Sequence, residues 1–372
     1  MRVAMMIDTL RIGGAQKLVT RFVSAVSKRN VESTVISFRD NAAAANLDAI
    51  HSAGANLMTF PSRSLLDPGR LMRLIRFLRA GKFDLIHTHL SYANILGCLA
   101  GYYAGIPVIA TLHSTGHDLQ RDSGLVTRLE EVGLRYFARR IIAVGYTVAA
   151  AYQPRLSSRT LDVIPNGVPI PQPISMQVRQ SLRHEIAADE NCVVLIAVGR
   201  FAEAKGYEDM IEAFAILHQR NLQTVLAIAG VGGLFDKIKR KISEMQLQDS
   251  IHCLGERNDI SQLLAASDIY VSSSHREGLP VALLEAMMAG LPIVGTSVGD
   301  IPRVVTPETG IIVPPHEPAC LADALYDLVS APEKARILGN AARARAMQEY
   351  SLDTWVNRTV SLYEETVSAS KG

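Results

Sequence analysis

The sequence has few cysteines, little tryptophan and almost no net charge. Its 372 residues include 4 cysteines and 1 tryptophan, and the formal net charge is +2. The four scattered cysteines form no C-x-x-C pair, which excludes a disulfide framework and a cysteine zinc site and predicts buried thiols in a reducing compartment. They are Cys98, Cys192, Cys253 and Cys320. So small a charge gives no reason to expect a nucleic-acid partner, and any anionic partner must meet a local basic patch.

The chain also lacks a long uninterrupted apolar run. The longest apolar stretch, residues 93–110, is broken by three glycines and Pro107, so it predicts a helix followed by a strand and no transmembrane span. Residues 2–7 are too short an apolar segment for a signal peptide, so we expect a first strand there and no removal of the N-terminus. These features predict a globular protein of the cytoplasm.

Short apolar segments alternate with amphipathic ones along the whole chain. This alternation predicts an α/β fold with parallel strands covered by helices on both faces. In the first half, strands are predicted near 2–7, 33–38, 56–60, 84–88, 107–112, 140–144 and 161–164. In the second half, strands are predicted at 192–198, 224–229, 251–253 and 269–272, and helices near 317–330, 332–348 and 351–367.

The length of the chain favours two domains of similar size. A boundary is indicated by residues 165–173, which contain four prolines in nine residues and an Asn166-Gly167 turn. Prolines stiffen and extend the backbone, and Asn-Gly forms a tight turn, so this segment predicts an interdomain linker.

The stretch His275–Gly299 carries the clearest chemical signal. Pro280 is suited to the start of a helix and Gly290 to its end, so the stretch predicts a loop, a short helix and a strand. Glu277 lies in the loop and Glu285 in the helix. Because ionised carboxylates only accept hydrogen bonds, the two suit a ligand with several hydroxyls, such as a ribose or a hexose. The alternative is a solvated Glu277 and a locally paired Glu285.

Two glycine turns are suited to holding a diphosphate. Residues 199–206, G-R-F-A-E-A-K-G, follow a strand and open a helix, with Arg200 able to fork onto phosphate oxygens and Lys205 adding a compact charge. After the first strand, Gly13 and Gly14 let backbone amides approach an anion at a helix N-terminus. Taken alone, each pattern is also compatible with a plain surface turn.

Histidines mark the ends of two predicted strands. His87 and His89 end one strand, and His113 follows the next, so all three lie at the edge where parallel sheets bind ligands. A metal site would need another ligand at a suitable spacing, and none is evident. Histidines at strand ends are also common as structural residues, and His89 is a candidate for an acceptor-side contact.

Residues 69–82 form a basic amphipathic segment. Four of its residues share a helix face and are apolar, namely Leu71, Leu74, Ile75 and Leu78. Arginines recur every three residues, at Arg70, Arg73, Arg76 and Arg79. The pattern predicts either a solvated helix packed on the sheet or a patch that attracts an anionic membrane surface.

These motifs resemble those of the large retaining glycosyltransferase family with the GT-B fold, the glycosyl transferases group 1. The likeness rests on E-x7-E from Glu277 to Glu285, G-R-x-x-x-x-K-G at 199–206, I-P-N-G-V at 164–168 and the G-G-A-Q turn at 13–16. It implies two Rossmann-like domains that face each other across a cleft. The acceptor-binding domain would be 1–170, joined by a returning terminal helix at 351–372 with Trp355 as its anchor, and the donor-binding domain would be 171–350.

The resemblance also implies roles for single residues. Glu277 would approach the donor sugar, Glu285 would bind the ribose, His113 would reach the donor sugar, and Arg200 with Lys205 would stabilise the departing nucleoside diphosphate. Further donor-binding positions implied by the likeness are Gly13, Gly14, Gly230, Glu256, Arg257, Gly278, Leu279 and Pro280. For Glu256 and Arg257 the likeness implies a loop whose backbone reads the base edge.

The implied activity is transfer of a hexose-type sugar from a nucleotide sugar, UDP first and GDP second, to a hydroxyl of a glycan or lipid-linked acceptor. Such reactions build cell-surface polysaccharide, lipopolysaccharide or glycolipid, at or near the inner face of the membrane. No D-x-D motif is present, so neither a metal nor another cofactor is expected. Asp300 and Arg303 depart from the family's frequent G-G-x-x-E. The alternatives are a sugar-nucleotide epimerase or sugar-phosphate synthase of the same fold, and a non-catalytic nucleotide-binding protein.

Overall fold

The structure, a computed structural model, describes residues 1–11, 13–65, 67–115, 124–157, 159–186, 188–189, 191–220 and 223–371. The chain divides into two units. The first consists of Met1–Gly167 together with Leu352–Gly372, and the second of Val168–Ser351.

Each unit contains a parallel sheet with helices along the connections. The strands are β1 (Arg2–Ile7), β2 (Glu32–Ser37), β3 (Asn56–Thr59), β4 (Leu85–His89), β5 (Val108–Leu112), β6 (Arg140–Ala143), β7 (Asp162–Val163), β8 (Val193–Val198), β9 (Thr224–Ala229), β10 (Ile251–Gly255), β11 (Ile269–Ser272), β12 (Ile293–Thr296) and β13 (Gly310–Val313). The helices are α1 (Gly14–Val26), α2 (Ala44–Ser52), α3 (Pro68–Gly81), α4 (Ser91–Ala104), α5 (Gly124–Tyr136), α6 (Tyr146–Leu156), α7 (Met176–Glu185), α8 (Tyr207–His218), α9 (Phe235–Glu244), α10 (Ile260–Ala266), α11 (Val281–Ala289), α12 (Ile301–Val304), α13 (Pro318–Val329), α14 (Pro332–Glu349) and α15 (Leu352–Lys371).

The strand order reverses once in each sheet. The first sheet runs β3-β2-β1-β4-β5-β6-β7 and the second runs β10-β9-β8-β11-β12-β13. Every pair in both sheets is parallel. The predicted fold class is therefore confirmed: both units are Rossmann-like.

The reversal points fix where ligands should bind. In open parallel sheets the crevice outside the carboxyl ends of the strands, at the point of reversal, is the usual ligand site. In the first unit this point lies between β1 and β4, and in the second between β8 and β11. The loops that follow these four strands are therefore where functional side chains are expected.

The central strands are apolar because helices cover both of their faces. In β8, the sequence V-V-L-I-A-V has four fully buried central residues. The terminal helix α15 packs in the first unit, where Trp355 is 7% exposed and its ring centroid lies 5.2 Å from that of Phe22. The indole thus anchors the helix at the place that the sequence indicated.

Two predictions about single residues are wrong. Cys98 and Cys192 are buried as predicted, but Cys253 is only partly buried and Cys320 is exposed, because Cys320 lies in the first turn of α13 and not in a core strand. Arg70 is only 3% exposed, donates to the Leu65 carbonyl at 2.6 Å and lies over the Phe38 ring at 5.7 Å, so it is not part of a solvated arginine face. In the described part of the chain no helix combines the length and the apolar character needed to cross a bilayer.

Candidate functional site

In the second unit, the loop after β8 closes tightly against the loop after β11. It ends in a short 3-10 turn, Glu203–Lys205, and in Gly206, whose φ of 59° lies in the left-handed region. A Cβ at Gly206 would lie 2.2 Å from the Ser273 carbonyl oxygen. Only glycine therefore satisfies both the backbone angle and the close approach.

Hydrogen bonds join these two loops directly. The backbone N–H of His275 donates to the Ala204 carbonyl at 2.8 Å, and the Ser273 hydroxyl donates to the Lys205 carbonyl at 3.0 Å. The positions of residues 273–277 are thus set by the loop that carries Lys205.

Lys205 and Glu277 form an ion pair at this junction. The Lys205 Nζ lies 2.5 Å from Glu277 Oε1, and the two side chains are 25% and 11% exposed. The Ser274 hydroxyl donates to the same oxygen at 2.7 Å, and the Thr296 hydroxyl donates to the Ser274 carbonyl at 2.6 Å. An ammonium group has three N–H donors, so Lys205 keeps donors for an anion while it holds Glu277.

Both Glu277 and Glu285 lie near one buried tyrosine, Tyr270 of β11. Glu285 is half-buried on α11. Burial raises the pKa of Tyr270 well above its ordinary value, and the charges of Tyr207, Glu277 and Glu285 add to that rise. Both carboxylates therefore act on one phenol at the end of β8, where the Tyr270 hydroxyl approaches the Val198 carbonyl at 3.5 Å.

Arg200 is exposed at the start of the same loop. Among the residues that the structure describes, Arg200 makes no ion pair, whereas Lys205 is paired with Glu277. A guanidinium in this position presents its fork of N–H donors to solvent, which suits a phosphate.

The loops after β8, β9 and β10 meet at glycine residues. Gly230 has a φ of 144°, its N–H donates to the Gly255 carbonyl at 2.7 Å, and a Cβ on it would lie 1.9 Å from the Gly199 carbonyl oxygen. Next to them Glu256 is exposed, and the Arg257 side chain is paired with Glu185 and, at 2.7 and 2.8 Å, with Asp259. These bonds raise the pKa of Arg257. Because they occupy its guanidinium, the backbone of Arg257 is better placed than its side chain to contact a ligand.

The turn that departs from the family pattern supports the Glu277 loop. Gly299 has a φ of 57°, and a Cβ there would lie 2.4 Å from the Glu277 carbonyl oxygen. The Asp300 N–H donates to the Gly278 carbonyl at 3.0 Å. In the same loop Leu279 is 7% exposed, and Pro280 is the N-cap of α11. Residues 277–280 are therefore held on both sides by backbone contacts.

In the first unit the glycine turn opens α1. The helix begins at Gly14, with Gly13 as its N-cap and Gln16 buried. The described first turn of α1 carries no acidic side chain. A helix N-terminus without acidic residues can accept an anion, and the role of Gly13 and Gly14 in binding one stays a prediction.

The three histidines form a chain at the reversal point of the first sheet. His89 Nδ1 lies 3.0 Å from His113 Nε2, and His87 lies 2.6 Å from the Thr111 hydroxyl and 2.5 Å from that of Tyr363. Burial lowers the pKa of His113 to about 4 and that of His87 to about 3. His113 is therefore neutral at pH 7 and can exchange hydrogen bonds with a sugar without adding charge.

Asp8 is a candidate that the sequence prediction missed. It follows β1 directly and accepts hydrogen bonds from the N–H groups of Ala93 at 2.7 Å and Tyr92 at 3.2 Å, in the first turn of α4. Burial raises the pKa of Asp8 to about 7, although these N–H groups oppose the rise. An aspartate immediately after the first strand of a parallel sheet was the available signal.

Comparison with known proteins identifies the family. The family model described as "Glycosyl transferases group 1" matches residues 178–345, and the model described as "Glycosyltransferase Family 4" matches residues 12–171. Together the two matches span nearly all of both units.

The chain belongs to the group 1 glycosyltransferases.

Several relatives cover most of this glycosyltransferase. It is 28% identical over 311 residues to the UDP-Gal:alpha-D-GlcNAc-diphosphoundecaprenol alpha-1,3-galactosyltransferase of Escherichia coli, covering 81% of this chain and 80% of that protein. It is 24% identical over 293 residues to the N-acetyl-alpha-D-glucosaminyl L-malate synthase of Bacillus anthracis, covering 77% and 76%. The crystal structure of HepE from Anabaena in complex with UDP-glucose matches with a TM-score of 0.84 and 23% identity over 99% of both chains.

Within this glycosyltransferase, the structure brings together most of the donor-site residues predicted in the second unit. Lys205, Glu277 and Gly230 lie in loops that contact one another, and Arg200 belongs to the same loop as Lys205. The predicted residues of the first unit, Gly13, Gly14 and His113, lie beside β1 and β5. Their roles in catalysis and binding remain predictions.

Proposed function

We propose that this glycosyltransferase moves a hexose-type sugar from a UDP-sugar, or secondarily a GDP-sugar, to a hydroxyl of a lipid-linked saccharide or glycan. The observation that carries the proposal is the Lys205–Glu277 pair beside the exposed Arg200, at the reversal point of the second sheet. Cations suited to a diphosphate and a carboxylate suited to sugar hydroxyls thus occupy neighbouring loops.

The cations would stabilise the leaving group. As the bond between C1 of the sugar and the phosphate oxygen breaks, negative charge grows on the diphosphate. Donors already placed around that charge lower the barrier without reorganising during the reaction. Arg200 and Lys205 would supply this stabilisation, so we propose a reaction that needs no metal ion.

Retention of configuration follows from a front-face path. The acceptor oxygen bonds to C1 on the face that the diphosphate leaves, and the departing phosphate oxygen takes the acceptor's proton. This path needs no protein nucleophile. The ion pair with Lys205 and the hydrogen bond from Ser274 hold the Glu277 carboxylate in a fixed position, as a sugar-binding group requires. Its role would be to orient the donor sugar.

The relatives support the choice of substrates. The galactosyltransferase of E. coli is named for UDP-Gal and a diphosphoundecaprenol-linked acceptor, and HepE was solved with UDP-glucose. The B. anthracis relative, by contrast, is named for a small acid, L-malate. A uridine nucleotide is therefore the first donor to test, and the pathway would be cell-surface polysaccharide, lipopolysaccharide or glycolipid synthesis at the cytoplasmic face of the membrane.

The test is release of nucleoside diphosphate from a panel of UDP- and GDP-sugars, with and without lipid-linked acceptors and in the presence of EDTA. We expect slow release of UDP from one donor without acceptor, faster release with the right acceptor, and no loss of rate in EDTA. Nucleotide binding without turnover of any donor would favour a non-catalytic protein. Conversion of the donor without release of its diphosphate would favour an epimerase.

A membrane-facing surface is the second part of the proposal. On α3 the side chains of Arg73, Arg76 and Arg79 are exposed, and Met72 beside them is 50% exposed. Arg79 donates to the Tyr103 carbonyl of α4 at 2.5 Å, and the side chains of Tyr102 and Tyr103 are exposed. Basic and aromatic side chains together suit an anionic lipid surface.

Reversing two of these charges should release the protein from vesicles. Basic residues near an anionic surface contribute about 1 kcal/mol each, so Arg73→Glu with Arg76→Glu should weaken binding roughly 30-fold or more. Co-sedimentation with vesicles rich in anionic lipid measures this. The control is Lys334→Glu with Arg336→Glu, two exposed residues of α14 that give the same change in net charge. Equal loss of binding in both variants would contradict a specific surface on α3.

A further inference from the structure

Three potential metal ligands converge in the second unit from separate segments. Asp209 lies in the first turn of α8, His275 in the loop after β11, and His316 in the turn between β13 and α13. His275 Nε2 is 2.8 Å and His316 Nδ1 is 3.8 Å from Asp209 Oδ2, and ligand atoms of the three residues lie within 4.8 Å of one another. The two imidazole ring centroids are 3.8 Å apart.

The backbone holds these side chains in position. His275 is tied to Ala204 through its N–H, and its ring packs against Gly206, where a Cβ would lie 2.7 Å from His275 Nε2. His316 has a φ of 61°, a left-handed conformation that is uncommon and costly for a residue other than glycine. The turn thus carries an imidazole where glycine would be the unstrained choice.

The donor set indicates the kind of ion. Two imidazole nitrogens and one carboxylate oxygen suit Zn²⁺, Co²⁺ or Ni²⁺, whereas Mg²⁺ and Ca²⁺ prefer oxygen ligands alone. With bonds of about 2.0–2.1 Å, ligand atoms of a tetrahedral zinc site lie roughly 3.3 Å apart. The distances of 2.8 and 3.8 Å to Asp209 fall on either side of that value. His316 is 66% exposed, so an ion can enter from solvent.

We propose that Asp209, His275 and His316 form a binding site for a divalent transition-metal ion, with Zn²⁺ as the first candidate. The ion would tie the loop after β11 to α8 and to the turn before α13. Since His275 lies two residues before Glu277, a bound ion would restrict the loop that carries the Lys205–Glu277 pair. Its role would be structural, so the sugar transfer proposed for Arg200 and Lys205 is expected to continue when EDTA removes the ion.

Zinc binding to the full-length protein tests this site. The chain is prepared in a Cys320→Ser background, so that the exposed thiol supplies no ligand, and is cleared of metal with EDTA. Isothermal titration with Zn²⁺ should show saturable binding at one site, Co²⁺ should give the visible absorption of a tetrahedral complex, and Zn²⁺ should raise the melting temperature while Mg²⁺ does not. His316→Ala, at an exposed position, should weaken zinc at least about tenfold.

The control is His184→Ala, which removes an exposed histidine at the end of α7 and should leave the affinity unchanged. Absence of saturable zinc binding, or equal affinity in His316→Ala and the parent protein, would overturn the proposal and leave Asp209 and His275 as a simple hydrogen-bonded pair. Because binding is measured without substrates, the result does not depend on finding the proposed transferase activity.

Discussion

Replacing Lys205 with methionine is expected to lower kcat for sugar transfer by about 10²–10³-fold, the cost of removing one preorganised donor from a developing oxyanion. Methionine keeps much of the length of the side chain but removes the charge. In the present geometry Lys205 bonds Glu277 at 2.5 Å, and its remaining N–H donors would meet the diphosphate as it departs. Because the charge on the diphosphate grows in the transition state, the loss should fall on kcat more than on the KM for the donor.

A matched lysine provides the control for this substitution. Lys241 also forms a 2.5 Å ion pair, with Glu212, and its side chain is 21% exposed compared with 25% for Lys205. Lys241→Met should leave kcat within about twofold, since Lys241 pairs with Glu208 and Glu212 at the protein surface and such pairs contribute little to stability. Steady-state rates of UDP release measure both variants, and thermal melting confirms that both are folded. A Lys205→Met enzyme with near-normal kcat would contradict the proposed stabilisation of the leaving group.

Replacing Glu277 with glutamine is expected to lower kcat at least about 10²-fold while donor binding is kept or improved. The amide is the same size and can still accept from Ser274, so the loop should retain its shape. Lys205 would lose its anionic partner and become freer to bind phosphate, which would lower the KM for the donor or leave it unchanged. The loss of the carboxylate would still remove the group that orients the sugar.

Glu285 gives the contrasting result. If it binds the ribose, Glu285→Gln should raise the KM for the donor about tenfold or more and change kcat little, because ribose contacts are the same in the ground state and the transition state. Titration of UDP into both variants separates the roles: Glu285→Gln should weaken UDP, and Glu277→Gln should not. Equal effects of both substitutions on UDP affinity would show that the two glutamates do not have the separate roles proposed for them.

Much of the fold could be predicted from the sequence because each strand is a local apolar run. The V-V-L-I-A-V of β8 is one example, since a strand covered on both faces has no polar alternation. β13, with G-I-I-V, was missed because four residues at the edge of a sheet carry little pattern of their own. Its pairing with β12 is a tertiary contact, which no local spacing reveals.

Arg70 shows where periodicity failed. An arginine every three residues predicts one exposed stripe, and Arg73, Arg76 and Arg79 follow it. Arg70 lies at the start of α3, where its side chain turns back to the Leu65 carbonyl and the Phe38 ring. The preceding loop and a neighbouring segment, rather than the helix itself, thus decide its environment.

The candidate site was predictable only in part. The motifs marked Lys205 and Glu277 separately, but these residues are 72 positions apart, and the ion pair depends on how the loops after β8 and β11 pack. The cluster of Asp209, His275 and His316 has no motif at all, because its ligands come from one helix and two loops at unrelated spacings. Asp8 was visible as an aspartate after β1, but its raised pKa comes from burial, which the sequence does not show.

The most direct test of the central claim is a crystal structure of the protein with UDP, followed by GDP if UDP does not bind. We predict that the phosphates lie within hydrogen-bonding distance of the Arg200 guanidinium and the Lys205 ammonium, and that the ribose contacts Glu285. A well-ordered nucleotide whose phosphates lie away from both Arg200 and Lys205 would contradict the account.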